Sequence, residues 1–125
     1  MNAAMLYAGA VILIIWGIAH VLIPTRSVVE GFGPISADNK RTLLMEWLME
    51  GVLLVFIGAL VVMVTSVAPP MEQTAVVVYR ACSAVLIVMA GISLFTGART
   101  SVLPMKLCPA IFLTAAGLFF LSTVL

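Results

Sequence analysis

Charge and histidine are what this sequence has least of. Among its 125 residues only 9 % are Asp, Glu, Lys or Arg, and there is a single histidine. Soluble globular domains carry about 25 % charged residues, so a water-facing surface of ordinary polarity cannot be built from this chain. The formal net charge is +1, and the Lys and Arg residues lie scattered between hydrophobic runs instead of forming a stripe. That distribution excludes a nucleic-acid-binding surface. One histidine excludes bis-histidine haem ligation within one chain. The two cysteines, Cys82 and Cys108, lack the spacing of a metal site or a CxxC redox pair. They read as apolar packing residues, and no metal site is expected.

What is abundant is apolar: 64 % of the residues are hydrophobic, a surplus that a bilayer solvates directly. Four runs carry it, at about 3–23, 42–64, 74–97 and 107–125. Each is near the roughly 20 residues needed to cross about 30 Å of hydrocarbon as a helix. Strict alternation is missing, and a barrel needs many more segments, so strands are excluded. The expectation is an all-α integral membrane four-helix bundle, a single transmembrane domain of two antiparallel helical hairpins. The first run lacks a basic leading segment, and Ile23-Pro24-Thr25 is not a small-residue cleavage site, so it reads as a retained span and not a secretory signal.

The boundaries have local causes. Pro24 disfavours helix at Ile23 and should end the first span. Asp38 or Thr42 is placed to cap the second. Pro69-Pro70 reads as a stiff short turn, and Pro109 fits the first turn of the last helix. The short second and third connections predict that consecutive helices are antiparallel neighbours. The longer first connection, with Val28, Val29 and Phe32, reads as a segment lying on the membrane surface. Gly17, Gly51, Gly58, Ala90-Gly91 and Ala115-Ala116-Gly117 are the expected places of close helix approach. Trp16-Gly17-Ile18 and Ala90-Gly91-Ile92 occupy comparable positions, a faint trace of hairpin duplication.

Arg26, Lys40 and Arg41 fall in the first connection, Arg99 and Lys106 in the third. By the positive-inside rule, loops 24–41 and 99–106 are cytoplasmic and both termini lie outside, in a protein of the cell membrane. Arg80 reads as snorkelling to the outer surface with Glu72 as partner, or else as an anion site. Tyr7, Trp47 and Tyr79 fall near interfaces, and Trp16 lies deeper.

Ionisable groups within membrane helices need a reason to be there. His20 lies near the end of the first helix. Glu46 and Glu50 lie one and two turns into the second, Glu50 roughly 12 Å from its start. Antiparallel pairing brings His20 and Glu46 to similar depth, and a spacing of four puts both glutamates on one helical face. The two carboxylates repel one another and call for neutralisation by a proton, by His20, or by Arg99 and Lys106. Two readings follow. One is a structural polar network that pins helix register, at about 0.6 kcal/mol per interhelical hydrogen bond. The other is a functional site in which His20, Glu46 and Glu50 exchange protons, with Trp16, Trp47 and Arg99 as candidate pocket lining.

Gly17-Ile18-Ala19-His20, Pro24, Phe32-Gly33-Pro34 and Glu50-Gly51 resemble the DoxX-like group of small four-helix membrane proteins. The resemblance implies a pairing of a helix-end histidine with a glycine-adjacent glutamate, here His20 and Glu50. It also implies association with quinone-linked sulfur oxidation or redox defence complexes. Three functions therefore stand as expectations. The first is an accessory or scaffold subunit of a membrane complex, with a membrane-protein partner or a second copy. The second is a pocket-bearing protein that binds or transforms a lipophilic substrate such as a quinone or lipid through His20 and Glu50. The third is a proton-coupled small transporter, against which stands the lack of any glutamate in the first helix.

Overall fold

In a computed structural model, which describes residues 1–22, 25–69 and 72–125, the four apolar runs become four long helices. These are α1 (Ala3–Leu22), α3 (Ala37–Val67), α4 (Gln73–Phe95) and α5 (Leu103–Ser122), with a short α2 (Thr25–Glu30) before α3 and a 3-10 turn, Gly97–Arg99, after α4. All four long helices have the length and apolarity to cross a membrane. The outward surface is itself apolar: Val11, Ile15, Phe56, Met63, Ile92 and Leu113 are each at least half exposed. Lipid tails, not water, are the solvent such a surface needs.

The inward stripes explain the bundle. Buried positions run Leu6, Leu13, His20 in α1 and Cys108, Ala115, Ser122 in α5. That seven-residue repeat returns to one helix face every two turns. In α4 the buried residues Tyr79 and Leu86 keep the same spacing. Packing is closest between α1 and α3, then α4 and α5, and α1 and α5 join the two hairpins. The lateral order is therefore α3–α1–α5–α4, with α1 and α5 as the inner pair.

Two glycines set the α1–α3 crossing. A Cβ on Gly17 would stand 2.6 Å from the Gly51 carbonyl oxygen, and one on Gly51 would stand 2.8 Å from His20 Cβ. Gly58 makes a third such contact, 2.7 Å from the Ala10 carbonyl. By contrast, Gly91 and Gly117 face open space, so the expectation of close approach fails at those two. The likeness of the two glycine-centred tripeptides is not matched by like packing.

Other expectations are corrected in detail. Ser36, not Asp38 or Thr42, caps α3: its hydroxyl accepts from the Asn39 amide at 3.2 Å. Helix α3 thus starts five residues before the apolar run does. Pro104, not Pro109, occupies the first turn of α5, and Pro109 lies inside it, where no amide proton is available for the Met105 carbonyl. Ile23, Pro24 and Pro70 lie outside the described residues, so the stops assigned to them are not visible. Arg80 donates to Thr123 Oγ1 at 3.3 Å and lies over the Phe120 ring, with no ion pair to Glu72. Tyr79 is fully buried within the bundle. Thr65 donates to the Val61 carbonyl, so the Tyr79 hydroxyl donates to Thr65 at 3.0 Å, linking α3 and α4 near their connection.

Between α4 and α5, the buried Ser83 hydroxyl donates to the Ala116 carbonyl at 2.8 Å. Ser83→Ala is expected to lower stability by about 0.6 kcal/mol and no more than about 2. Unfolding in mixed micelles measures this, and an unchanged midpoint would show that the bond contributes nothing net.

Candidate functional site

Close crossing at Gly17 and Gly51 delivers His20 and Glu50, their near neighbours in sequence, to one place at the end of the bundle that carries α2. His20 is 2 % exposed. Its Nδ1 lies 3.0 Å from the Trp16 carbonyl oxygen. A carbonyl only accepts, so Nδ1 carries a proton, and in that neutral tautomer Nε2 presents a lone pair. The ring is held on both sides. Trp47 stacks on it with centroids 4.5 Å apart, and Trp16 meets it edge-on at 5.4 Å. The Trp47 indole N–H donates to the His20 carbonyl at 2.9 Å, satisfying one of the carbonyls that a helix end leaves open.

Nε2 points at two groups. Glu50 Oε1 is 3.9 Å away and Cys108 Sγ also 3.9 Å. The Cys108 thiol also reaches the Pro104 carbonyl at 3.4 Å. His20, Glu50 and Cys108 offer one ligand atom each, all within 4.8 Å of one another. Nearby, the Trp16 indole Nε1 is buried with no hydrogen-bond partner among the described residues.

Beside this cluster α3 and α4 scarcely touch, and the gap forms a cavity of about 560 Å³. The short α3–α4 connection predicts packed neighbours, yet α3 is held on α1 by the glycine crossing and α4 on α5. The two outer helices part toward the α2 end. Apolar groups such as Leu53, Met89, Ile92 and Phe112 form most of the wall, while Glu46, Glu50, Ser93, Thr96 and Cys108 contribute the polar part.

The expected site residues are thus only partly assembled. His20 and Glu50 meet, and Trp47 lines the cavity. Glu46 stands exposed at its mouth without a cationic partner among the described residues. Trp16 sits behind His20, away from the cavity. Arg99 is exposed and lies over the Phe95 ring at 5.5 Å, so neither it nor the exposed Lys106 neutralises the glutamates. Cys108 belongs to the hydrophobic core, as a packing cysteine should, but its sulfur also faces His20. The signal was present in the spacing: Cys108 begins the Cys108–Ala115–Ser122 stripe and lies near the same end of the bundle as His20.

Fold and site together define a small four-helix membrane protein with a laterally placed cavity ending in a His–Glu–Cys cluster. Comparison finds no family model, curated protein or solved structure that matches the chain.

Proposed function

We propose that this protein binds a lipophilic ligand with a hydrogen-bonding head group, such as a quinone, which enters the α3–α4 cavity from the bilayer. The observation that carries the reading is the cavity itself. Its volume of about 560 Å³ falls within the roughly 300–1,000 Å³ of small-molecule sites, and such sites combine apolar walls with a few convergent polar groups. A scaffold needs no such opening. Glu50 is positioned to hydrogen-bond the head group, and His20 Nε2 to accept a proton from it or from Glu50. Membership of the DoxX-like group and a cytoplasmic α2 end, with both termini outside, belong to the same proposal.

Trp47 supplies the reporter, since quinones quench indole emission on contact. Titrating the detergent-purified protein with a short-tailed benzoquinone should give saturable quenching that is mostly lost in Trp47→Phe. Ser93→Phe, which places a ring in the cavity from a helix face open to lipid, should weaken binding at least tenfold. Quenching that never saturates and is the same in Ser93→Phe would sink the proposal and leave the scaffold reading.

A further inference from the structure

We infer that His20 Nε2, Glu50 Oε1 and Cys108 Sγ form a three-ligand site for a divalent transition metal ion of the zinc class, with an open position toward the cavity. The inference does not depend on what occupies the cavity, because the ion alone is its ligand. The proton exchange at His20 Nε2 and Glu50 belongs to the metal-free site, since with the ion bound both are its ligands.

Geometry is the first support. Bond lengths of about 2.0–2.3 Å to N, O and S in a tetrahedral arrangement place ligand atoms about 3.4–3.6 Å apart. The observed Nε2–Oε1 and Nε2–Sγ distances are both 3.9 Å, and all separations stay within 4.8 Å. Small side-chain rotations close the remainder. Three protein ligands plus one open position is the pattern of zinc sites that act on a bound molecule, as distinct from closed structural sites. Glu50 and Cys108 both line the cavity, so a water or a ligand oxygen has access to the fourth position.

The second support is the state of the histidine. A metal-binding imidazole usually donates its other N–H to a carbonyl or carboxylate, which fixes the tautomer and ring orientation. His20 does so through Nδ1 to the Trp16 carbonyl, and the two tryptophans hold the ring plane. For a purely structural histidine, Nε2 would be expected at hydrogen-bond distance from a partner. Here the carboxylate stands 3.9 Å away, and the only hydrogen bond within reach among the described residues is a long, weak one to the Cys108 sulfur, also at 3.9 Å.

Charge is the third. A thiolate, a carboxylate and a neutral imidazole around a dication sum to zero, the total that a membrane-embedded site tolerates best. Among the described residues, no Lys or Arg is paired with Glu50 to supply that balance otherwise. The donor set also selects the ion. A nitrogen and a sulfur exclude magnesium and calcium, which take oxygen ligands, and suit zinc or cobalt.

Cobalt(II) makes the test optical. The chelator-treated protein in detergent should bind one equivalent and develop a thiolate-to-cobalt charge-transfer band in the near ultraviolet, displaced by zinc. Cys108→Ser should abolish the band, Cys82→Ser should retain it, and Glu50→Gln should weaken cobalt binding at least tenfold. A wild-type protein that shows no band, or a band that survives in Cys108→Ser, overturns the site. Should Cys108→Ser fail to fold, X-ray absorption of the wild-type zinc complex decides. One sulfur at about 2.3 Å with nitrogen and oxygen at about 2.0–2.2 Å supports the site, and an all-nitrogen-and-oxygen shell refutes it.

Discussion

Gly17→Ala and Gly51→Ala should each destabilise the bundle by about 1–3 kcal/mol, and Gly51→Leu should prevent α1 and α3 from packing at all. The added Cβ has nowhere to go. At Gly17 it would meet backbone, 2.6 Å from the Gly51 oxygen and 2.9 Å from the Val55 nitrogen. A flexible side chain could swing aside, but a helix backbone moves only by separating the two helices. Separation also removes His20 from Glu50, so metal and ligand binding should be lost together with stability. Gly91→Ala is the matched control. Nothing lies within 4 Å of its Cβ, and alanine favours helix over glycine by about 1 kcal/mol, so that variant should be neutral or slightly stabilised. Unfolding midpoints in mixed micelles separate the cases, and equal behaviour of Gly51→Ala and Gly91→Ala would refute the account of the crossing.

Trp47→Ala carries the second large effect. The indole contributes a stacked face to His20, a hydrogen bond to the His20 carbonyl and one wall of the cavity. Truncating a large aromatic costs about 3–5 kcal/mol in a closed core. Trp47 is half-buried, so the low end, about 3 kcal/mol, is expected. Trp47→Phe separates the contributions: it keeps a ring against His20 and loses only the N–H, for about 0.6 kcal/mol. The same unfolding assay reads both. If Trp47→Phe proves as damaging as Trp47→Ala, the hydrogen bond and not the stacking holds the histidine.

The four spans were legible because hydropathy alone decides what a bilayer accepts. Similar depth pairs His20 with Glu46. The structure instead brings it to Glu50, one turn deeper and the partner that the resemblance implies, because α1 and α3 cross at Gly17 and Gly51. The beginning of α3 was not legible. Ala37, Asp38, Asn39 and Lys40 look like loop by polarity, and only the Ser36 cap reveals that the helix begins before the apolar run. Arg99 and Lys106 were expected to answer the glutamates, but Coulomb attraction across a loop does not outweigh the solvation of exposed cations, and Arg99 instead lies over Phe95. Cys108 was hidden by its own chemistry, since a thiol in an apolar run looks like packing. The cavity was hidden for another reason. Chain connectivity suggests that α3 and α4 pack together. Gly17, Gly51 and Gly58 read as places of close approach, but that they draw α3 to α1 and away from α4 is visible only in three dimensions.

The lateral order of the helices bears on how the protein is made. Chains emerge from the ribosome N-terminus first, and here the inner pair consists of the first and the last long helices, α1 and α5. A nascent chain inserted through α4 would have its first hairpin closed, with His20 already facing Glu50. Its α1 surface would still lack Phe119, which fills the space against Gly9. Of the described helices, α5 is made last, and its arrival between α1 and α4 also brings in Cys108. A chain translated only through α4 would hold two of the three cluster residues and an α1 face left uncovered where Phe119 packs against Gly9.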